Sequence, residues 1–398
     1  MRSKIPNLRH LDIALHVCKT HGFSSVSKIV NLSPSAITQA MRGLETSIGA
    51  QIFDRSQSGA FPNALGKIYL DRISRAFDAL GAAENALDKG RAAFSLKSRV
   101  TASQLRAIIA VVQSGSYNQA ARRLGLSQPS VYKAAHSVEV LYNTDLFRPS
   151  PSGVEATQKA REFSRHASVA LSEIERGQEE VMEYQGRISG RLAIGALPLI
   201  CARVLPDAIN KLLQIYPDAD VKVIAGVYSD LLDSLRHGDH DILIGALRHP
   251  APAKDVQQTD LFEDALSIIV GKGHPILSIP KPGLNDLAKL DWVVPHKNTP
   301  TRHCFERFFS DMKEQRPTRI IETSSLLFIR TILQNSDRAT LLSVHQAHYE
   351  IERGDLVVVK FVLAGSRRTI GVTTRHHWKP TRLQEKFLKL LHEEARAL

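Results

Sequence analysis

Cysteine is almost missing from this chain. Three occur in 398 residues, Cys18, Cys201 and Cys304. They are odd in number and far apart, which excludes a disulfide framework and any zinc-ligand spacing and suits a reducing compartment. Long apolar runs are missing too: none approaches the roughly 18 residues that a membrane helix needs. Met1-Arg2-Ser3-Lys4-Ile5-Pro6 leads into no apolar segment, so no secretory leader is expected. The expected location is the cytoplasm, with no membrane partner. Catalytic and metal signatures are also missing. His345-x-x-His348 lacks the Glu and the spacing of a zincin, and no Cys or acidic constellation accompanies it or His376-His377. The chain does not read as an enzyme, and no cofactor, metal ligand or catalytic residue is assigned. A thiol sensor built on Cys201 and Cys304 is a further reading, set against the ordinary role of lone cysteines as small inert hydrophobes.

What is present is positive charge, unevenly placed. The formal net charge is +12. Residues 1–60 hold seven Lys/Arg against three Asp/Glu, and residues 99–153 hold six against two, so these stretches carry +8 of the total. That is the footprint of modules that sit on phosphate, with a merely solvated basic face as the alternative.

Both basic stretches have the same internal plan. In residues 115–139, Ala120, Ala121 and Leu124 form the apolar face of one short helix, which Gly125 ends. Ser127 is placed to cap a second helix, with Pro129 in its first turn. Val131, Ala134, Ala135 and Val138 give that helix its buried stripe. Ser127, Gln128, Pro129, Ser130, Tyr132 and Lys133 are left near its exposed amino end, where a recognition helix meets base edges and phosphates. Such helix pairs also occur as plain core elements, but here the pattern recurs 94 residues earlier without a gap. Leu32-Ser33 falls on Leu126-Ser127, Ile37 on Val131, Glu45 on Glu139, Ile52-Phe53 on Leu146-Phe147 and Gly59 on Gly153. One structural unit is used twice. Asn31 replaces the turn glycine in the first copy, as Asn tolerates the left-handed region.

The chain divides into a winged helix–turn–helix unit at 1–63, a linker helix at 64–98, a second winged unit at 99–155, a linker and dimerisation helix at 156–187, and an α/β region at 188–398. The first linker carries Ile68, Ile73, Ala76, Phe77, Leu80 and Leu87 as an interrupted stripe, followed by a short linker from Phe94 to Arg99. The second carries Phe163, Ala167, Ala170, Leu171, Ile174 and Val181; a long helix with one apolar face and no core of its own pairs with another helix. After a composition change at Gly186–Gly190, short β runs alternate with helices, one of them over Arg302–Met312. Two small lobes are implied, with ligand outside the carboxyl ends of the strands. The fold class is therefore α/β plus all-α, the sensing half being like a periplasmic binding protein.

From residue 99 onward the chain resembles a LysR-type transcriptional regulator. The resemblance rests on G-S-Y-N-Q-A-A-R-R-L-G-L-S-Q-P-S-V and the following S-V-E, on L-F-R with its wing, on S-G-R-L-A-I-G, and on Gly273-His274-Pro275. Gly195-Ala196-Leu197-Pro198-Leu199 and Asp241–Arg248 further resemble a subgroup linked to sugar and aromatic-acid metabolism. The extra head at 1–98 departs from the family plan. The resemblance implies a homodimer, or a homotetramer as a pair of dimers, on a pseudo-palindromic promoter site in double-stranded DNA, with a small effector acting between the lobes. Carried over by position, the reading residues are Ser127, Gln128, Pro129, Ser130, Tyr132 and Lys133, and in the first head Ser33, Pro34, Ser35, Thr38, Gln39 and Arg42. Gln39 or Gln128 suits adenine, and Arg42 or Lys133 suits guanine or phosphate. The effector positions fall on Leu197, Pro198, Leu199 and Ile200, on Thr299, Thr301 and Arg302, and on Ser324 and Ser325. Hydroxyls at helix amino ends with Arg302 suit an organic acid or a sugar derivative, the plainer reading being that they only cap helices. Three roles are open for the first head: reading DNA, packing as a degenerate module, or contacting another protein.

Overall fold

The two repeats are copies of each other down to single hydrogen bonds. The computed structural model describes residues 5–56, 59–87, 96–151, 153–186, 190–297, 299–310 and 316–398. Parts of the expected linker at Phe94, of the change at Gly186–Gly190, of the second wing at Ser152 and of the helix ending at Met312 lie outside the described residues. The first head comprises α1 (Leu8–Thr20), α2 (Phe23–Val30), α3 (Pro34–Ile48) and the ribbon β1 (Phe53–Ser56) with β2 (Gly59–Pro62), followed by the linker helix α4 (Ala64–Ala86) and a short α5 (Leu96–Arg99). The second head repeats this as α6 (Ala102–Ser114), α7 (Tyr117–Leu124), α8 (Gln128–Tyr142), β3 (Phe147–Ser150) and β4 (Gly153–Ala156), followed by α9 (Gln158–Tyr184).

Residues in the left-handed conformation close the same helices in both copies. Asn31 (φ 52°) and Gly125 (φ 66°) end α2 and α7, as the sequence predicts for Asn31, and Gly49 and Asn143 end α3 and α8. Glu45 Oε1 accepts from the backbone of Ile52 and Phe53 at 3.1 and 3.3 Å. Glu139 Oε1 accepts from Leu146 and Phe147 at 2.8 and 3.1 Å. Each wing is thereby pinned to its recognition helix. Its far strand is pinned to the first helix: Ala60 N donates to His21 O and Val154 N to Gly115 O, both at 3.0 Å.

The two linker helices pack against each other, antiparallel. Arg72, early in α4, reaches Glu173 and Glu180 in the later half of α9, while Glu84 at the end of α4 accepts from Tyr142 at the end of α8, on the side of the seam where α9 begins. One continuous core therefore runs through both heads, holding Ile37, Leu44, Tyr69, Phe77, Leu105, Val138, Phe163 and Ile174 together. This corrects the expectation that α9 offers its apolar stripe to a second chain. A stripe shows that a partner exists but not which one, and here the partner is α4 of the same chain.

The remaining chain forms two lobes on one path of strands. Lobe 1 holds β5 (Arg191–Ala196), α10 (Val204–Ile215), β6 (Asp220–Ala225), α11 (Tyr228–Arg236) and β7 (Ile242–Ala246). The long β8 (Val256–Gly271) then leads into lobe 2, with α12 (Leu284–Ala288), β9 (Asp291–Val294), α13 (Pro300–Phe308), β10 (Ile320–Glu322), α14 (Leu326–Gln334), β11 (Arg338–Ser343), α15 (His348–Glu352) and β12 (Leu356–Val358). The chain returns through β13 (Arg367–Arg375) to α16 (Arg382–Arg396) on lobe 1. β8 pairs with β13 over Val256–Ala265 and with β11 and β12 beyond, so β8 and β13 are the two crossings between lobes. Within each lobe the inner strands are parallel: β6-β5-β7 and β10-β9-β11. The sequence places only Leu266–Val270 of β8, because Gln257 to Asp264 are mostly polar and alternate weakly.

Candidate nucleic-acid interface and ligand cleft

Each head presents the amino end of its recognition helix to solvent. In the second head Ser127 caps α8, accepting from Ser130 N at 3.3 Å, and Ser127, Gln128, Pro129, Ser130, Tyr132 and Lys133 are all exposed. Tyr132 stacks on His136 and meets Tyr117 edge-on at 5.3 Å, so its ring is held rather than free. In the first head Ser33 caps α3 through Ala36 N at 3.2 Å, and Ser33, Pro34, Ser35, Gln39 and Arg42 are exposed. Thr38 is half-buried and donates its hydroxyl back to Pro34 O at 3.0 Å. All twelve positions thus sit on two equivalent surfaces, with the buried stripes Ile37, Ala40, Met41 and Leu44, and Val131, Ala135 and Val138, on the opposite faces. Arg55 on the first wing is bound to Glu45 at 3.0 Å; the equivalent position in the second wing is Pro149, and Asp54 corresponds to Arg148, so the wings place their charges differently though each is net neutral.

At the cleft the structure sorts the expected effector residues into three groups. Thr299, Thr301, Ser324 and Ser325 gather where the parallel strands β9 and β10 end and α13 and α14 begin. Thr299 caps α13 through Arg302 N at 3.2 Å, Ser325 caps α14 through Phe328 N at 3.3 Å, and Ser324 Oγ accepts from His296 N at 3.4 Å. Thr301 Oγ1 accepts from Arg368, which is itself bound to Asp264 at the lobe crossing. Leu197 and Pro198 lie on the facing rim after β5. Leu199 and Ile200 do not line it, because their side chains are buried in the core of lobe 1.

Arg302 is a correction. Its guanidinium is buried and satisfied by Glu306 at 2.8 Å, Glu322 at 3.0 Å and Pro295 O at 3.3 Å. A cation already offset by two carboxylates has no net charge left to draw an anion. An arginine that does remain without an ion pair among the described residues is Arg248, which sequence reading quoted but did not assign. It follows the carboxyl end of β7, and its guanidinium lies 3.9 Å from the Tyr228 ring. Gln258 grips its main chain from both sides at 3.1 and 2.9 Å, and its Nε is buried with no partner among the described residues. The signal for it was a cation at the end of a parallel strand, where ligands bind. A surface cavity of about 420 Å³ lined by His274, Asp291, Arg319 and Asp337 opens instead at the amino ends of β9–β11, the opposite end from that position.

The alternative sites fare worse. Burial pushes the Cys201 thiol above its ordinary range, opposite to a reactive thiolate. His348 pairs with Glu352 on its own helix, and the rings of His376 and His377 meet edge-on at 4.1 Å. Among the described residues no helix is long and apolar enough to cross a membrane.

Family models match the chain in three places. A model described as bacterial regulatory helix-turn-helix protein, lysR family, matches residues 8–67 and again 102–161, and one described as LysR substrate binding domain matches residues 185–396. The chain is 27% identical over 374 residues to the HTH-type transcriptional regulator GalR of Pseudomonas putida, covering 94% of this chain and 93% of that protein. That span takes in both heads. Against the HTH-type transcriptional regulator PcaQ of Agrobacterium fabrum it is 25% identical over 301 residues, 75% of this chain and 96% of that protein, a length with room for one head. Among solved structures, ArgP from Mycobacterium tuberculosis superposes with a TM-score of 0.56 at 17% identity, over 74% of this chain and 97% of that one.

Proposed function

The chain belongs to the LysR family of transcriptional regulators, and on that premise we propose which of its residues read DNA and hold the effector. It is a DNA-binding transcriptional regulator responding to a small molecule in its substrate-binding region; the family is one of regulators, not of enzymes in general, and its members act as multimers. Ser127, Gln128, Pro129, Ser130, Tyr132 and Lys133 read bases and grip phosphate from α8. Ser33, Pro34, Ser35, Thr38, Gln39 and Arg42 do so from α3. The observation that carries this is the pair of solvent-facing helix amino ends, each backed by a wing on a stretch of net positive charge. Fluorescence anisotropy on promoter DNA tests it. Lys133→Ala lowers affinity and flattens the dependence on salt by about one phosphate contact. An unchanged slope and affinity would remove Lys133 from the interface.

The effector we assign to the cleft between Leu197, Pro198, Tyr228 and Arg248 on lobe 1 and Thr299, Thr301, Ser324 and Ser325 on lobe 2. The Arg248 guanidinium, seated on the Tyr228 ring with no ion pair among the described residues, and two adjoining helix amino ends favour a small organic acid over a neutral sugar derivative. Isothermal titration with a panel of carboxylates yields one binder, and Arg248→Gln weakens it at least about tenfold, the scale of one charge-assisted hydrogen bond, while Arg302→Gln acts only through stability. Binding that survives Arg248→Gln sinks the assignment.

Because α4 covers α9, we assign the contact of a homodimer or homotetramer to the lobes, where Ile215, Val223, Leu327 and Phe328 are exposed apolar residues. Sedimentation of Leu327→Glu measures this directly, a shift to lower mass being the expected result.

A further inference from the structure

The two heads are related to each other as two subunits of a symmetric dimer are, inside one chain. In a two-fold interface residue i meets j and j meets i. Here Gln185, the residue that ends α9, donates to Gly49 O at the end of α3 at 2.9 Å. Thr144, just past the end of α8, donates to Leu87 O, the residue that ends α4, at 3.4 Å. The two bonds use different residues and opposite donors, but they join the same pair of elements reciprocally, each head's recognition helix leaning on the far end of the other's linker. The antiparallel seam of α4 and α9 is the axis between them. Related in this way, the two recognition helices are the counterpart within one chain of the paired recognition helices of a two-headed dimer, whose two operator arms mirror its symmetry.

The surfaces presented are nevertheless unlike. Under the 94-residue shift only Ser33 and Ser127 agree at the cap; beyond it Pro34 faces Gln128, Ser35 Pro129, Ala36 Ser130, Thr38 Tyr132, Gln39 Lys133 and Arg42 His136. Gln is suited to adenine, and Lys or Arg to guanine. The chemistry that recognises one arm of a palindrome therefore does not recognise its mirror image.

We propose that one chain occupies a complete two-armed DNA site, whose arms are inverted in direction but different in sequence, the first head reading one arm and the second head the other. This rests on the heads binding DNA at all, as proposed above. It replaces, for each chain, the pseudo-palindrome expected from a single-headed relative.

The test is selection of double-stranded sites from a random pool by the intact chain, followed by the same selection with Gln39→Ala/Arg42→Ala and with Tyr132→Ala/Lys133→Ala. All four side chains are exposed, and thermal melting confirms that both variants fold. Point substitutions are needed because deleting the first head would uncover the α9 core. The expected result is a motif of two different arms spaced by about a whole number of helical turns. Each double substitution should relax one arm alone and weaken the selected site about tenfold or more, the scale of one lost base contact. If the first variant leaves both arms intact, or the arms are mirror copies, the inference falls while DNA binding by the second head stands. If the intact chain enriches no motif, the DNA reading of these residues falls with it.

Discussion

Arg72 shows how one residue can work against its own pattern. It lies on the buried side of α4, and its side chain is fully buried, yet every donor direction is used: Glu173 at 3.0 Å, Glu180 at 2.8 Å, and the carbonyls of Lys379 and Pro380. It thereby joins the first head's linker, the second head's linker and lobe 1 at a single point. Arg72→Ala leaves Glu180 without its cation, while Glu173 keeps Arg176 at 3.1 Å, a loss of about 3–5 kcal/mol, to be read from urea unfolding. Nearby Glu179 behaves differently. Burial, only partly offset by Arg176, pushes its carboxyl up to about 7 from an ordinary 4.5. The folded chain thus holds this proton more tightly than the unfolded chain. Its stabilising contribution is complete below the ordinary value and is lost as pH rises through 7. Glu179→Gln is expected to melt above the parent at pH 8, by about 1–3 kcal/mol, with the gap closing towards pH 5. A constant gap across that range would contradict the assignment. Neither residue's role was legible in the sequence, because each depends on partners that lie far away along the chain or on burial; Arg302, whose Glu322 partner is 20 residues off, was misread for the same reason.

At the level of elements, much more could be read in advance. Caps and turns are local, so Ser127, Pro129, Gly125 and Asn31 state where helices begin and end, and all four do so here. Wing geometry is local as well. Gly59 and Gly153 have φ of 139° and 137°, and a Cβ there would stand 2.1 Å from His21 O and 2.6 Å from Gly115 O. Gly153→Ala therefore forces β4 off α6, at about 1–3 kcal/mol for the backbone strain alone. Promoter affinity should fall while heat of effector binding is unchanged, a combination that calorimetry and anisotropy on one sample can check. What elements could not disclose was pairing. The stripe on α9 was visible as Phe163, Ala167, Ala170 and Ile174, but a stripe carries no address, and the strand order and the seam with α4 depend on contacts more than a hundred residues apart.

Across the whole molecule, the head pair and lobe 1 are bonded at several points: Arg72 and Arg75 to the main chain of 377–380, Lys379 to Asp71 at 2.8 Å, Arg176 to Asp241, and Arg165 with Arg236 to Asp255. The main connections to lobe 2 among the described residues are the β8 and β13 crossings and the short turn at 344–347 that meets Ile200–Ala202. Closure of the lobes on an effector thus has to move lobe 2 against a block made of lobe 1 and both heads. Removing residues 1–98 takes away the cover of α9, and the truncated chain is expected to elute on size-exclusion chromatography as larger assemblies, in subunit number, than the intact chain forms. The α4–α9 seam has one more consequence, which concerns copy number. When paired heads come from separate subunits, dilution pulls them apart, and the share of molecules able to grip both arms falls with protein level by mass action. Heads joined in one polypeptide stay paired at any level. Occupancy of a two-armed site by this chain should follow a simple hyperbola down to the lowest amounts, so that a few molecules per cell hold a promoter as competently, molecule for molecule, as many.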